Sequence, residues 1–130
     1  MAAWGSGTFD NEDAQEWLKQ LAQLTAEDLA TLLSRADRSD YLEAPESSVI
    51  VAAAEAIAAL QGAPAEAAPL AIVEWANKSK AQPQSDVSAL AIRAVQRVRT
   101  DSELKDLWLE ADGLNEWSAA LRDLEARLAR

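Results

Sequence analysis

Between Glu46 or Ser47 and Leu60 the chain carries a single interior charge, Glu55, and is apolar on almost every side. No other feature constrains the fold so strongly. Val49-Ile50-Val51 suits a strand by propensity, but the alanine-rich continuation through Leu60 favours a helix. A helix without a polar face must be covered on several sides. The segment therefore predicts a central helix, stopped near Gly62, with the rest of the chain wrapped around it.

The flanking sequence supplies that wrapping with helical periodicity and almost no strand alternation. Asp10 or Asn11 can cap a first helix, with Glu12 and Asp13 in its positive first turn. The apolar stripe of that helix is Ala14, Trp17, Leu18 and Leu21. Thr25 caps a second helix with the stripe Leu29, Leu32, Leu33 and Ala36. Arg38 to Pro45 reads as a polar connection holding the sole tyrosine, Tyr41. After the central helix, Pro64 and Pro69 bracket a linker, and Leu70, Ile72, Val73 and Trp75 belong to the next helix. Lys78 to Gln84 reads as a loop.

Ser85 then caps a helix with Val87, Leu90, Ala91, Ala94, Val95 and Val98 on one face and Arg93 and Arg97 on the outer face. Ser102-Glu103 opens a short helix through Leu104, Leu107 and Trp108, ending near Asp112-Gly113. Leu114, Trp117, Leu121, Leu124 and Leu128, spaced 3-4-3-4, form a seam along the last helix. The prediction is an all-α single domain over residues 1–130: a compact bundle of about seven short to medium helices with an extended N-terminal segment.

The bulk numbers fix the environment. With 49% hydrophobic and 26% charged residues among 130, the chain is too apolar for disorder and sized for one core. No apolar run approaches the ~18 residues of a membrane span. No basic-then-hydrophobic leader opens the chain, and cysteine is absent, so the cytoplasm is the expected location. The net charge is −10. Residues 1–60 hold eleven acids against Lys19, Arg35 and Arg38, a net −8. That field repels nucleic acid and anionic membranes and favours a basic protein partner.

Histidine and cysteine are both missing, which removes the commonest general base, transition-metal ligands and soft nucleophile. Gly5-Ser6-Gly7 lacks the frame of a phosphate loop: no strand precedes it, no lysine follows, and its flank is acidic. Its glycines are expected to adopt φ values that turn the chain so that Trp4 and Phe9 dock on the core. Asp10, Asn11, Glu12, Asp13 and Glu16 offer oxygen ligands but lack the EF-hand pattern, with Leu21 at the twelfth position from Asp10. No catalytic, cofactor or metal residue is assigned. Trp17, Trp108 and Trp117 sit beside leucines and read as core. Trp75, followed by Asn77-Lys78-Ser79-Lys80, is expected at a rim with its N–H toward water, where it would be a candidate binding anchor.

The opening pattern W-G-x-G-x-F-x-N-x-D-A-x-x-W, carried by Trp4, Gly5, Gly7, Phe9, Asn11, Asp13, Ala14 and Trp17, resembles the bacterial domain-of-unknown-function family DUF4259. The Ala52-Ala53-Ala54-Glu55 helix ending near Gly62, Trp75 beyond it, and Ser102-Glu103-Leu104 through Leu107-Trp108 agree with that family's pattern. The family often has aspartate where this chain has Glu12 and Glu16. The resemblance implies a small stand-alone helical domain and supplies no catalytic residues.

The functional expectation is a non-enzymatic protein–protein interaction module. Its sharper form is an immunity- or inhibitor-like protein whose acidic face covers a basic partner. The candidate surface is Trp4, Gly5, Gly7, Phe9, Asn11, Asp13, Trp17 and Trp75. The alternative is a carboxylate-based or metal-dependent hydrolase using Asp10 to Glu16 with Glu74 or Glu110. The chain is expected to be a monomer, or a homodimer through the C-terminal leucine seam.

Overall fold

The computed structural model describes residues 3, 5–79 and 87–130. Among them run seven α-helices: α1 Glu12–Leu18, α2 Ala26–Arg38, α3 Ala44–Leu60, α4 Leu70–Ser79, α5 Val87–Thr100, α6 Glu103–Glu110 and α7 Leu114–Leu128. A 3₁₀ turn, Leu21–Gln23, joins α1 to α2. No strand forms among the described residues beyond one isolated antiparallel bridge between Ala3 and Asn11. The all-α expectation therefore holds. Ser85, expected to cap α5, lies outside the described residues, as does Trp4.

Local chemistry sets most boundaries. Thr25 Oγ1 accepts the Asp28 N–H at 3.1 Å while the Asp28 carboxylate accepts the Thr25 N–H at 2.9 Å, a reciprocal cap that opens α2. The central helix starts at Ala44, ahead of the expected Glu46 or Ser47, because Pro45 fits a first turn where its missing N–H costs nothing. It ends as expected: Gly62 takes φ +87°. The Gly62 N–H reaches Ala59 O at 3.0 Å and the Ala63 N–H reaches Ala58 O at 2.9 Å, closing the last turn.

Helix α3 is the hub. Every residue from Ile50 to Leu60 is buried, and the helix packs against α1, α2, α4, α5, α6 and α7. No side chain of its own caps its N-terminus. Glu103 at the start of α6 does so, accepting the Ala44 N–H at 2.7 Å, while the Glu103 N–H donates to Leu42 O at 2.9 Å. This reciprocal pair welds the α2–α3 connection to α6.

Trp117, Leu121, Leu124 and Leu128 of the C-terminal seam are buried within the chain's own bundle, where α7 packs on α3 and α5. The face on which the homodimer expectation rested is thus occupied intramolecularly. Arg97 also departs from expectation. Arg93 stays outside, facing Asp37 at 3.7 Å, but Arg97 turns inward. Its Nη1 donates to Ala36 O and Ser39 O at 2.9 Å each, and its Nε donates to Asp101 O at 2.8 Å. The first two are carbonyls that the end of α2 leaves without helical donors.

Candidate functional site

Residues 7–11 of the N-terminal motif fold as a clasp over α1 and α3. Asn11 caps α1 by accepting the Ala14 N–H at 2.9 Å, and its Nδ2 donates back to Thr8 O at 3.0 Å. Gln15 Nε2 reaches Phe9 O at 2.8 Å. The Asp10 carboxylate accepts the Gly7 N–H at 3.1 Å and lies against both glycines. A Cβ on Gly5 or Gly7 would come within 2.6 or 2.7 Å of Asp10 Oδ2. The expectation of an unusual φ is corrected at Gly7, which is not in the left-handed region. A Cβ at Gly7 would instead push aside the Asp10 carboxylate that holds the Gly7 N–H.

Thr8 links the clasp to the interior. Its hydroxyl donates to Glu55 Oε2 at 3.1 Å, and Glu55 is buried in the middle of α3. Arg127 of α7 forks the same carboxylate, with Nη1–Oε1 2.8 Å and Nη2–Oε2 3.2 Å. Arg127 also donates to Asp123 Oδ2 at 2.8 Å and Ala63 O at 3.2 Å. Burial works against the guanidinium charge, but the Glu55 and Asp123 carboxylates overcome it and raise the Arg127 pKa. A cleft of about 290 Å³ opens beside this network, lined by Thr8, Phe9, Asp10, Glu55, Asp123 and Arg127 among others. Arg127 is shared between Glu55 and Asp123 there, while the Asp10 carboxylate is taken up by the Gly7 N–H.

The other singled-out residues scatter. Phe9 is half-buried against the core and Trp17 is core. Asp13 and Glu12 face solvent in the first turn of α1, and exposed Glu16 pairs with Lys19 at 2.9 Å. Glu74 and Glu110 are exposed on α4 and α6. These acids do not converge, and no group of three acids among the described residues is placed to hold a metal ion. Trp75 is not at a rim: it is 2% exposed and its Nε1–H donates to Leu24 O at 2.8 Å. It lines a groove of about 400 Å³ with Leu18, Ala22, Ala71, Glu74 and Lys78.

Two features escape a linear reading. A lone acid inside an apolar helix signals that a buried cation must exist, yet nothing local selects Arg127 among the bases. The second is Tyr41, 60% exposed at the welded α2–α3 connection. Desolvation at this junction, then the Glu103, Asp106 and Glu43 carboxylates, push its phenol above the ordinary 10.0. Leu109, 58% exposed, lies one turn beyond Asp106 on α6.

A family model described as "Domain of unknown function (DUF4259)" matches residues 2–120. No curated protein and no solved structure matches the chain. No helix among the described residues is long and apolar enough to cross a membrane.

Proposed function

The chain belongs to the DUF4259 family of domains of unknown function, and from that premise we propose that it is a non-enzymatic protein–protein interaction module of the cytoplasm. The observation that carries this reading is where the motif's polar groups are spent. Asn11, Asp10 and Thr8 hold the chain's own backbone and Glu55, whereas Glu12, Asp13 and Glu27 face solvent. An acidic exterior on a chain of net charge −10 suits a basic protein and disfavours nucleic acid or an anionic membrane. In its sharper form the module is immunity- or inhibitor-like, masking a basic partner by charge. With the leucine seam of α7 buried in its own bundle, the module acts as a monomer.

The test is affinity capture of the tagged chain from its native cytoplasm at low and high salt. A basic protein retained in stoichiometric amount at low salt and released at high salt is the expected result. Turnover of ester or phosphoester substrates by the purified chain with added magnesium or manganese would instead favour the carboxylate-hydrolase alternative.

A further inference from the structure

We infer that the face formed by Tyr41 and α6 is the docking surface of this module, and that its occupant is a basic protein segment carrying Lys or Arg beside an apolar side chain. The inference rests on the interaction reading and specifies where it operates. Large apolar side chains are exposed in only two regions of the described chain: Leu70 and Val73 on α4, and Tyr41 with Leu109 around α6. The α4 pair has one exposed acid, Glu74, and one exposed base, Lys78, on its helix, which favour no sign of occupant. The α6 face does favour one.

Glu103, Asp106 and Glu110 recur at i, i+3 and i+7, which aligns them along one side of the helix. Glu43 joins them from the α2–α3 connection, close enough with Glu103 and Asp106 to act on the Tyr41 phenol. None of these four acids takes part in an ion pair among the described residues, although seven ion pairs form elsewhere. Lys105 is the only base on α6. The result is an aromatic and a leucine rimmed by carboxylates that no ion pair among the described residues neutralises.

The platform is also firm. Leu42, the residue after Tyr41, and Ala44, the residue after Glu43, are tied to Glu103 through two hydrogen bonds of 2.9 and 2.7 Å, so little loop ordering opposes binding. Tyrosine suits a contact of this kind because its rigid ring covers area at low entropic cost while its hydroxyl stays wet. The exposed leucine asks for an apolar counterpart, which a small cation or polyamine lacks.

The probe is a synthetic amphipathic Lys/Leu peptide, titrated into the full chain by calorimetry and by amide chemical-shift mapping, with a Glu/Leu peptide as control. The expected outcome is salt-sensitive binding of the Lys/Leu peptide alone, with shifts centred on Tyr41, Glu43 and Asp106 to Glu110. Tyr41→Ala, Leu109→Ser and the pair Asp106→Asn/Glu110→Gln should each weaken it about tenfold, while Leu70→Ser, at a still more exposed leucine on α4, leaves it unchanged. These positions are exposed, so thermal melting should confirm that each variant folds. Equal affinity across all variants, no binding, or shifts centred on Glu12 to Glu16 would overturn the assignment. A cytoplasmic partner still captured by Tyr41→Ala/Leu109→Ser overturns the surface and leaves the interaction reading intact. Hydrolytic turnover by the wild-type chain overturns the interaction reading itself.

Discussion

Arg127 grips Glu55 with both terminal nitrogens, at 2.8 and 3.2 Å, and each side chain is only 7% exposed. One residue comes from the middle of the central helix and the other from the last turn of α7, so the pair fixes how the C-terminal helix seats on the hub. Removing one partner strands the other charge in the interior, at a cost of about 3–5 kcal/mol. Arg127→Met should therefore lower stability by that amount in urea denaturation followed by tryptophan fluorescence. Glu55→Leu combined with Arg127→Met should recover most of the loss. A double variant as unstable as the single would show that the pair stabilises through more than mutual neutralisation.

Arg97 makes a parallel case at the end of α2. Its guanidinium serves carbonyls of Ala36, Ser39, Asp40 and Asp101 at once, a planar fork that an ammonium cannot reproduce. Arg97→Lys is expected to cost about 1–2 kcal/mol despite conserving charge. Hydrogen exchange should show faster opening of the Ser39 N–H, which bonds Arg35 O at the helix end that Arg97 holds. Unchanged exchange there would remove Arg97 from the capping role.

These two arginines also mark where a linear reading stops. The cap at Thr25, the first cap narrowed to Asp10 or Asn11, and the stop at Gly62 were legible because donor and acceptor lie within a few residues of each other. The central position of α3 was legible because a helix without a polar face has few other options. Trp75, Arg97 and Arg127 were not, because their partners lie 51, 61 and 72 residues away. A tryptophan before a polar tail reads as a rim residue until the Leu24 carbonyl is brought to it by the packing of α4 on the turn after α1. The N-terminal motif was half legible: type and position narrowed the cap to Asp10 or Asn11, but that Asp10 folds back to the Gly7 N–H while Asn11 caps is set by the three-dimensional turn.

Tyr41 offers a test without competing signal, since the chain has one tyrosine. Desolvation and the Glu103, Asp106 and Glu43 carboxylates disfavour the phenolate, so the absorbance titration should have its midpoint above 10.0. Asp106→Asn should bring the midpoint down, and high salt should do the same by screening an exposed site. Because the folded state holds this proton more tightly than the unfolded chain, the associated stability is intact below pH 10.0 and is lost as pH rises through the folded midpoint. A midpoint at or below 10.0 would place those carboxylates away from the ring.

The α6–α7 corner separates two reasons for glycine. The left-handed residue there is Asp112, at φ 60°, and not Gly113. The Asp112 N–H bonds Leu109 O at 3.2 Å and the Gly113 N–H bonds Trp108 O at 3.0 Å, so Asp112 occupies the site where helices favour glycine. Gly113 is needed for room instead: a Cβ there would lie 2.7 Å from Trp108 Cε3. Asp112→Gly should therefore stabilise the protein by about 0.5–1 kcal/mol, relieving the strained conformation. Gly113→Ala should destabilise it by about 1–3 kcal/mol by displacing the indole, with a shifted tryptophan emission as its signature. Thermal melts of the two variants moving in opposite directions would confirm the division. Equal losses in both would mean that backbone freedom, and not contact with Trp108, sets the requirement at Gly113.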